Sequence, residues 1–119
     1  MTRRRPRKPP TYQVYLEPKV HDQRHELPGN VRQRLRCAID GLGTDPRPHG
    51  SQELNLTELG EKVDVPQGVE LRRLRVEHWR VVYAVDEDWE AVIVLTIRRR
   101  PPYDYEDLRD LIAGLQETS

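Results

Sequence analysis

Phenylalanine is absent from this sequence of 119 residues, which contains one cysteine, one methionine and two tryptophans. The single cysteine, Cys37, excludes an internal disulfide framework and a cysteine-based zinc site. No run approaches the roughly 18 apolar residues that a transmembrane helix needs. Prolines, not an apolar stretch, follow the basic start, which argues against a secretory signal. We therefore expect a cytoplasmic protein with no membrane partner.

The charges balance overall, with 20 Lys+Arg against 20 Asp+Glu, but they are segregated along the chain. Basic residues cluster in 1–10, 71–80 and 98–100, whereas acidic residues concentrate in 86–90 and 104–117. A polyphosphate responds to the charge within a Debye length of about 8–10 Å, not to the sum over the chain. A net charge of zero therefore leaves a nucleic-acid partner open.

The chain is expected to form one domain over residues 11–119, preceded by a disordered basic arm at 1–10. Three prolines of the arm (Pro6, Pro9 and Pro10) block helix formation, and nothing apolar anchors it. The arm could add phosphate contacts or serve only as a solubilising tail. A domain of this size has room for one modest core.

Apolar spacing predicts the first half of the domain. Alternation at 12–16 indicates a short strand. Pro18 suits the first turn of a short helix over 18–27. A second helix over 31–42 follows from the stripe Val31, Leu35, Ala38, Ile39 and Leu42, so the two helices form a hairpin. Residues 44–50 are a loop by composition, and a short strand near 54–56 precedes a flexible loop over 60–68.

The second half is predicted to be a β-meander. Leu74 and Val76 point to one side of a strand that begins at Val69, and Arg73 and Arg75 point to the other. Further strands over 80–85 and 89–97 and a final helix from 104 or 105 to 115 complete an α+β fold: N-terminal strand, helical hairpin, antiparallel meander, C-terminal helix. One sheet face packs on the hairpin. The other is expected to be open and to carry the arginines.

Three stretches resemble the RelE/ParE toxin superfamily over roughly residues 12–115. They are Leu42-x-x-Asp45-Pro46-x-Pro48-x-Gly50-x-x-x-Leu54, the segment LRRLRVEHWRVVYAVDED at 71–88, and VIVLTI running into RRR and a tyrosine. The resemblance implies the toxin of a type II toxin–antitoxin system, held inactive by a cognate antitoxin. RelE-like members cut mRNA in the ribosomal A site, whereas ParE-like members poison DNA gyrase.

The resemblance also implies a set of site residues. The RelE pattern has a strand arginine and, seven positions before it, a basic residue. Here the strand arginine is Arg80 and the basic residue is Arg73. It has an arginine near the end of the last strand and then a tyrosine, for which Arg99 and Tyr105 are the first choices. The implied catalytic residues are thus Arg73, Arg80, Arg99 and Tyr105, and the implied phosphate contacts are Arg75, Arg100 and Tyr103. His78, in the turn beside these residues, is a further candidate phosphate contact that could also assist as an acid.

RNA cleavage of this kind is an in-line attack of a ribose 2′-OH on the adjacent phosphate. It needs a proton acceptor, cations for the charge on the phosphorane and an acid for the leaving oxygen. Arg73 is a poor proton acceptor because guanidinium has a pKa above about 12. Leu71, moreover, occupies a position that is basic in the RelE pattern. RNA binding is therefore better supported than fast chemistry. Neither a metal nor a cofactor is expected, because no His/Asp/Glu cluster has a recognised ligand spacing.

Other interpretations remain open at this stage. A ParE-like gyrase inhibitor would bind without catalysis, and the leucine at position 71 favours this interpretation modestly. An inactive toxin homologue, or a protein that acts mainly in complex with an operator-binding antitoxin, is a third possibility. Each arginine cluster could instead be a solvated face. His21, His25 and His49 are interpreted as surface residues, and Trp79 and Trp89 as packing residues.

In every case, the expected partner is a short acidic and apolar antitoxin chain. It would cover the basic face or displace the helix at 105–115.

Overall fold

A computed structural model describes residues 11–54 and 65–99, together with Ile112, Gly114 and Leu115. The arm predicted at 1–10 lies outside the described residues, as do positions 55–64 of the predicted strand and loop. Of the predicted final helix, Ile112, Gly114 and Leu115 are described, and all three are helical. No helix within these described ranges is long and apolar enough to cross a membrane.

The predicted strand and helical hairpin are confirmed. Strand β1 covers Gln13–Leu16, helix α1 covers Pro18–His25 and helix α2 covers Gly29–Gly41. Pro18 lies in the first turn of α1, where its missing N–H costs no hydrogen bond. Pro28 separates the helices and is the N-cap residue of α2.

Four further strands complete a five-stranded sheet. They are β2 (Ser51–Glu53), β3 (Val69–Val76), β4 (Trp79–Asp86) and β5 (Ala91–Arg99), and the spatial order is β1-β5-β4-β3-β2. Pairs among β2 to β5 are antiparallel, as predicted, whereas β1 runs parallel to β5. The α+β class is confirmed, and β1 joins the five-stranded sheet at its edge, beside β5.

Strand β2 lies earlier than predicted. The structure has a strand at Ser51–Glu53, which pairs with Leu74 to Arg72 of β3, whereas positions 55 and 56 of the strand expected near 54–56 lie outside the described residues. Leu54 follows it and donates its N–H to the Leu71 carbonyl at 2.9 Å. The prediction followed the apolar Leu54, which is buried, whereas an edge strand of mostly exposed polar residues carries no apolar alternation.

The helical hairpin covers one face of the sheet. Side chains of α1 and α2, including Val20, Leu35 and Ile39, are buried against strand residues such as Val81 and Val94. These strand residues alternate along β4 and β5 with side chains on the other face, as the period of a strand requires. This cluster is the main core of the domain.

The opposite face is not open along its whole length, which corrects the expectation from the sequence. A second buried cluster lies there, formed by Leu54, Leu71, Val82, Ala84, Leu95 and Ile112. Ile112 and Leu115, two helical residues, pack on the apolar part of this face. The end of the face at which β4 begins carries Arg75, which is exposed, and Arg80, which is half-buried.

A bulge between β4 and β5 sets which arginines share a face. Val82 pairs with Thr96 but Tyr83 pairs with Val94, so Leu95 is an extra residue in β5. Between the bulge and the β5 C-terminus, Arg80 therefore lies opposite Arg98, and Trp79 lies opposite Arg99.

The two tryptophans that were predicted to be packing residues have different environments. Trp79 packs against the main core, whereas Trp89 lies in the β4–β5 turn and is 74% exposed. Strand β5 begins after Trp89, at Ala91, so the predicted strand start at 89 is two residues too early.

Tyr83 connects the core to the loop between α2 and β2. Its ring is fully buried, and its hydroxyl donates to the Pro46 carbonyl at 2.7 Å. Burial raises the pKa of Tyr83, so the phenol keeps the proton that it donates. This bond holds the loop that carries Arg47 and His49 against the sheet.

Replacing Tyr83 with phenylalanine should lower the free energy of unfolding by about 1–2 kcal/mol, because it removes a buried hydrogen bond and leaves a carbonyl without its donor. Urea denaturation of the purified protein measures the change. Tyr15→Phe is the control, since Tyr15 is 55% exposed and its loss should have little effect. Equal stability of Tyr83→Phe and the parent protein would contradict a structural role for this bond.

Candidate functional site: an arginine cleft at the sheet edge

A cleft of about 780 Å³ opens where β2 meets β3 at the edge of the sheet. Basic side chains from three parts of the chain contribute to it: the loop after α2, strand β3 and strand β4. We call it the arginine cleft, and its lining residues are Arg47, Pro48, His49, Gly50, Ser51, Gln52, Arg72, Arg73, Arg75 and Arg80.

Three of the residues predicted from the sequence meet in this cleft. Arg73 and Arg75 alternate with Leu74 along β3, so their side chains lie on the face opposite the helical hairpin. Arg80 lies directly opposite Arg75 in the antiparallel register, on the same face. Arg73 donates to the neutral Gln52 side chain at 3.3 Å. Among the described residues, no carboxylate pairs with Arg73 or Arg75.

The register also extends the basic surface across a third strand. Arg75 of β3, Arg80 of β4 and Arg98 of β5 occupy facing positions in one row. Adjacent strands are about 4.8 Å apart, so the row spans about 10 Å of backbone. Like charges at directly opposed positions destabilise a sheet.

Arg99 and His78 lie away from the cleft. Arg99 pairs with Trp79, and both positions belong to the face of the main core. His78 is exposed in the turn between β3 and β4 and does not line the cleft. Arg100, Tyr103 and Tyr105 lie outside the described residues. Their proposed roles therefore stay predictions from the sequence.

Arg98 lies at the boundary between the sheet face and α1. Burial lowers the pKa of Lys19 in α1, and the positive charge of Arg98 lowers it further, so the two side chains influence one another. The row formed by Arg75, Arg80 and Arg98 thus ends near another positively charged side chain, Lys19 of α1.

Arg47 is held by two carboxylates. Its guanidinium donates to Glu87 at 2.6 Å and, through Nε, to Glu70 at 2.9 Å. Glu70 also accepts a hydrogen bond from Arg72 at 2.7 Å, and Glu87 accepts one from the Tyr12 hydroxyl at 2.7 Å. These four hydrogen bonds connect the start of β1, the loop after α2, strand β3 and the β4–β5 turn.

The protonation states agree with this geometry. The hydrogen bond from Tyr12, together with the Arg47 guanidinium, lowers the pKa of Glu87. Burial acts to raise the pKa of Glu70, but hydrogen bonds from Arg72 and Arg47 outweigh it, so the pKa is lowered. Hydrogen bonding to Glu87 and Glu70 raises the pKa of Arg47. Because Arg47 and Arg72 are matched by two carboxylates, the cleft charge that no described carboxylate pairs with lies on Arg73 and Arg75 of β3.

Sequence reasoning missed three residues of the cleft: Arg47, His49 and Arg72. Arg72 alternates with Arg73 along β3 and so lies on the other side of the strand, where it bonds to Glu70 and Ser51. The cleft reaches around the short edge strand β2 and includes it. Arg47 and His49 belong to a loop rich in Pro and Gly. The only signal was a pair of basic side chains immediately before an edge strand.

Chemically, the cleft is suited to binding a phosphate diester. Guanidinium groups donate forked hydrogen bonds to phosphate oxygens and keep their charge at all physiological pH values. Within 11–54, 65–99 and the three helical residues, no group of three or more His, Cys, Asp or Glu side chains could hold a metal ion.

No protein-family model matches the sequence, and no curated protein matches it either. Solved structures do match. The chain is similar to one in the archaeal RelE–RelB complex from Pyrococcus horikoshii, with a TM-score of 0.65 and 22% identity, covering 78% of this chain and 99% of that one. It is also similar to a chain of the toxin–antitoxin complex RelBE2 from Mycobacterium tuberculosis, with a TM-score of 0.57, 17% identity, and 76% and 99% coverage.

A third match is the isolated RelE toxin of E. coli, with a TM-score of 0.51 and 15% identity, covering 91% of this chain and 99% of that one. The similarity spans nearly the full length of all three chains. The fold predicted from the resemblance, a RelE-like fold, is confirmed.

Removing Arg47 should destabilise the protein near neutral pH and not in strong acid. Since the folded-state pKa values of Glu70 and Glu87 are lowered from 4.5, the stabilisation by their ionised forms is full above that value. It is lost as the pH falls through the folded-state pKa values. We expect Arg47→Met to lower the unfolding free energy by about 1 kcal/mol at neutral pH, and the difference to shrink below the folded-state pKa values.

Denaturant titrations at a series of pH values measure this difference. Arg36→Met is the matched control, because Arg36 is exposed on α2 and its ion pair, with Asp40 at 3.9 Å, does not include Glu70 or Glu87. A destabilisation by Arg47→Met that is the same at every pH would exclude the carboxylates as its cause.

Proposed function

We propose that this protein is the toxin of a type II toxin–antitoxin system, and that it is a RelE-like endoribonuclease. It would cleave translated mRNA on the ribosome by transphosphorylation through the ribose 2′-OH. The observation that carries the proposal is the assembly of Arg73, Arg75 and Arg80 in one cleft on a RelE-like fold.

In the proposed reaction, the arginines stabilise the charge that develops on the phosphate. Attack of the 2′-oxygen on phosphorus places additional negative charge on the non-bridging oxygens, and fixed guanidinium donors stabilise that state more than the starting diester. Arg73 and Arg80 are proposed as catalytic residues, and Arg75 as a phosphate contact. Arg98 extends the same surface across β5.

Leu71 reduces the number of basic side chains at the proposed site. It stands where the RelE pattern has a basic residue, and only 4% of its surface is exposed, in the cluster that includes Leu54 and Ile112. Leu71 is thus a core residue and does not contribute a charge to the cleft. The proposed catalysis therefore uses fewer basic side chains than the family pattern implies. The proposed reaction uses no metal or cofactor.

The proposed protein partner is an antitoxin. Two of the similar structures are toxin–antitoxin complexes, RelE–RelB and RelBE2. An acidic and apolar antitoxin chain would match the basic end of the sheet face and the apolar cluster beside it. Such a chain would neutralise the cleft and block access of RNA to it.

ParE-like inhibition of DNA gyrase is the second candidate. The buried leucine at position 71 favours it, because a binding protein does not need the complete cation set of a nuclease. The basic surface would then contact protein or DNA. An inactive homologue is the third candidate and predicts no growth arrest when the protein is induced alone.

Replacing Arg73 or Arg80 with alanine should lower the rate of mRNA cleavage at the ribosomal A site by about 100-fold or more, the usual consequence of removing a donor that stabilises transition-state charge. Toeprinting of translating ribosomes with purified protein measures the cleavage. Arg36→Ala, on the helical hairpin, should cleave normally. Circular dichroism of each variant shows whether it is folded.

Two outcomes would overturn the nuclease proposal. One is the absence of cleavage by the parent protein together with inhibition of gyrase supercoiling, which would favour the ParE-like alternative. The other is full cleavage by folded Arg73→Ala and Arg80→Ala variants, which would place the chemistry elsewhere.

Arg75 should contribute to RNA affinity through charge alone. For single-stranded nucleic acid, each phosphate contact adds about 0.7 to the slope of log affinity against log salt concentration. Arg75→Ala should therefore reduce that slope by about 0.7 for a short single-stranded RNA, measured by fluorescence anisotropy. Arg36→Ala should leave the slope unchanged. An unchanged slope for Arg75→Ala would remove Arg75 from the set of phosphate contacts.

A further inference from the structure

We propose that His49 exchanges the proton in the RNA cleavage reaction and is a catalytic residue of the arginine cleft. This inference rests on the proposed nuclease function. It starts from a gap in that function: arginines bind and stabilise phosphate, but a guanidinium does not accept a proton at physiological pH. A separate group must take the proton of the 2′-OH.

His49 lines the same cleft as Arg73, Arg75 and Arg80. The charged groups around it are Arg47 from its own loop, Arg72, Arg73 and Arg75 from β3, and Arg80 from β4; Glu70 and Glu87 bind Arg47. Of the residues that line the cleft, His49 is therefore the one whose type of side chain ordinarily gains and loses a proton near neutral pH.

The backbone around His49 is fixed by a tight turn. The Ser51 N–H donates to the Pro48 carbonyl at 3.0 Å, which closes a four-residue β-turn with His49 and Gly50 at its centre. Gly50 has a φ of +95°, the conformation that the third residue of a type II turn requires and that glycine adopts without strain. The Ser51 hydroxyl donates to the same carbonyl at 2.8 Å.

The turn is also attached to β3. The N–H of Arg75 donates to the Gly50 carbonyl at 3.3 Å, so the residue after His49 is bonded to the strand that carries the phosphate contacts. This attachment fixes the distance between the loop and the basic row. The backbone that carries the imidazole is thereby attached to the strand that carries Arg73 and Arg75.

The proposed step balances as follows. The 2′-oxygen forms a bond to phosphorus while its proton passes to a neutral imidazole nitrogen of His49. The bond between phosphorus and the 5′-oxygen breaks, and the imidazolium returns the proton, through solvent water, to that departing oxygen. The products are a 2′,3′-cyclic phosphate and a 5′-hydroxyl, and no proton is gained or lost overall.

His78 provides a matched comparison, since it is an exposed histidine in a turn close in sequence to the same strands but does not line the cleft. We expect His49→Gln and His49→Gly to cleave at least about 100-fold more slowly than the parent protein, the lower range of general acid–base contributions. His78→Gln should cleave normally. Single-turnover cleavage of ribosome-bound mRNA across a pH series measures these rates.

Three readouts distinguish proton transfer from a structural role. The affinity of His49→Gln for single-stranded RNA should stay within about twofold of the parent value, because the arginines remain. The decline of the parent rate on the acid side should disappear in this variant. Added imidazole should restore part of the activity of His49→Gly but not that of Arg73→Ala.

The inference is overturned if folded His49→Gln cleaves within threefold of the parent rate, if its pH profile is unchanged, or if imidazole fails to restore His49→Gly. In each of these cases the parent protein still cleaves, so the proposed nuclease function survives. If the parent protein itself does not cleave, the proposed function fails and this inference fails with it.

Discussion

Opposed like charges that cannot move apart are the physical constraint on which this site depends. Arg75, Arg80 and Arg98 occupy facing positions on three adjacent strands. A shift of one residue would separate them, but it would also turn every core side chain of the strand to the wrong face. Buried pairs such as Val81 and Ile97 in the same register therefore hold the arginines in place. The main core thus fixes the positions of three cationic side chains on one face of the sheet.

The same face of the sheet serves two purposes because its character changes along the strands. On β4, Val82 and Ala84 are buried beneath Ile112, whereas Arg80, two residues before Val82, lies in the cleft. Side chains two residues apart along a strand share a face. The change from the apolar side chain of Val82 to the basic side chain of Arg80 therefore marks the boundary between the core and the cleft. A ligand on the arginines lies beside apolar surface, where charge interactions are screened less than in open water.

The apolar pattern of the sequence was sufficient to predict most of the fold, because α2 has an apolar stripe, β3 alternates, and β4 and β5 are apolar runs. It failed at β2, where an edge strand of Ser51, Gln52 and Glu53 has no apolar alternation to detect. It also could not detect the bulge at Leu95, since Val94 to Ile97 is a continuous run of residues suited to a buried strand. The bulge decides whether Arg98 or Arg99 faces Arg80, and the sequence prediction of Arg99 had no access to it.

The site was predictable where charge and strand period coincide, at Arg73, Arg75 and Arg80, and unpredictable where the loop contributes. Arg47 and His49 reach the cleft through a turn that depends on Gly50 and through the bond from Tyr83 to Pro46. Glu70 and Glu87 neutralise Arg47 and Arg72, so the balanced charge of the whole chain still leaves one concentrated cationic surface. The proposed role of His49 makes the loop part of the candidate site together with strands β3 and β4.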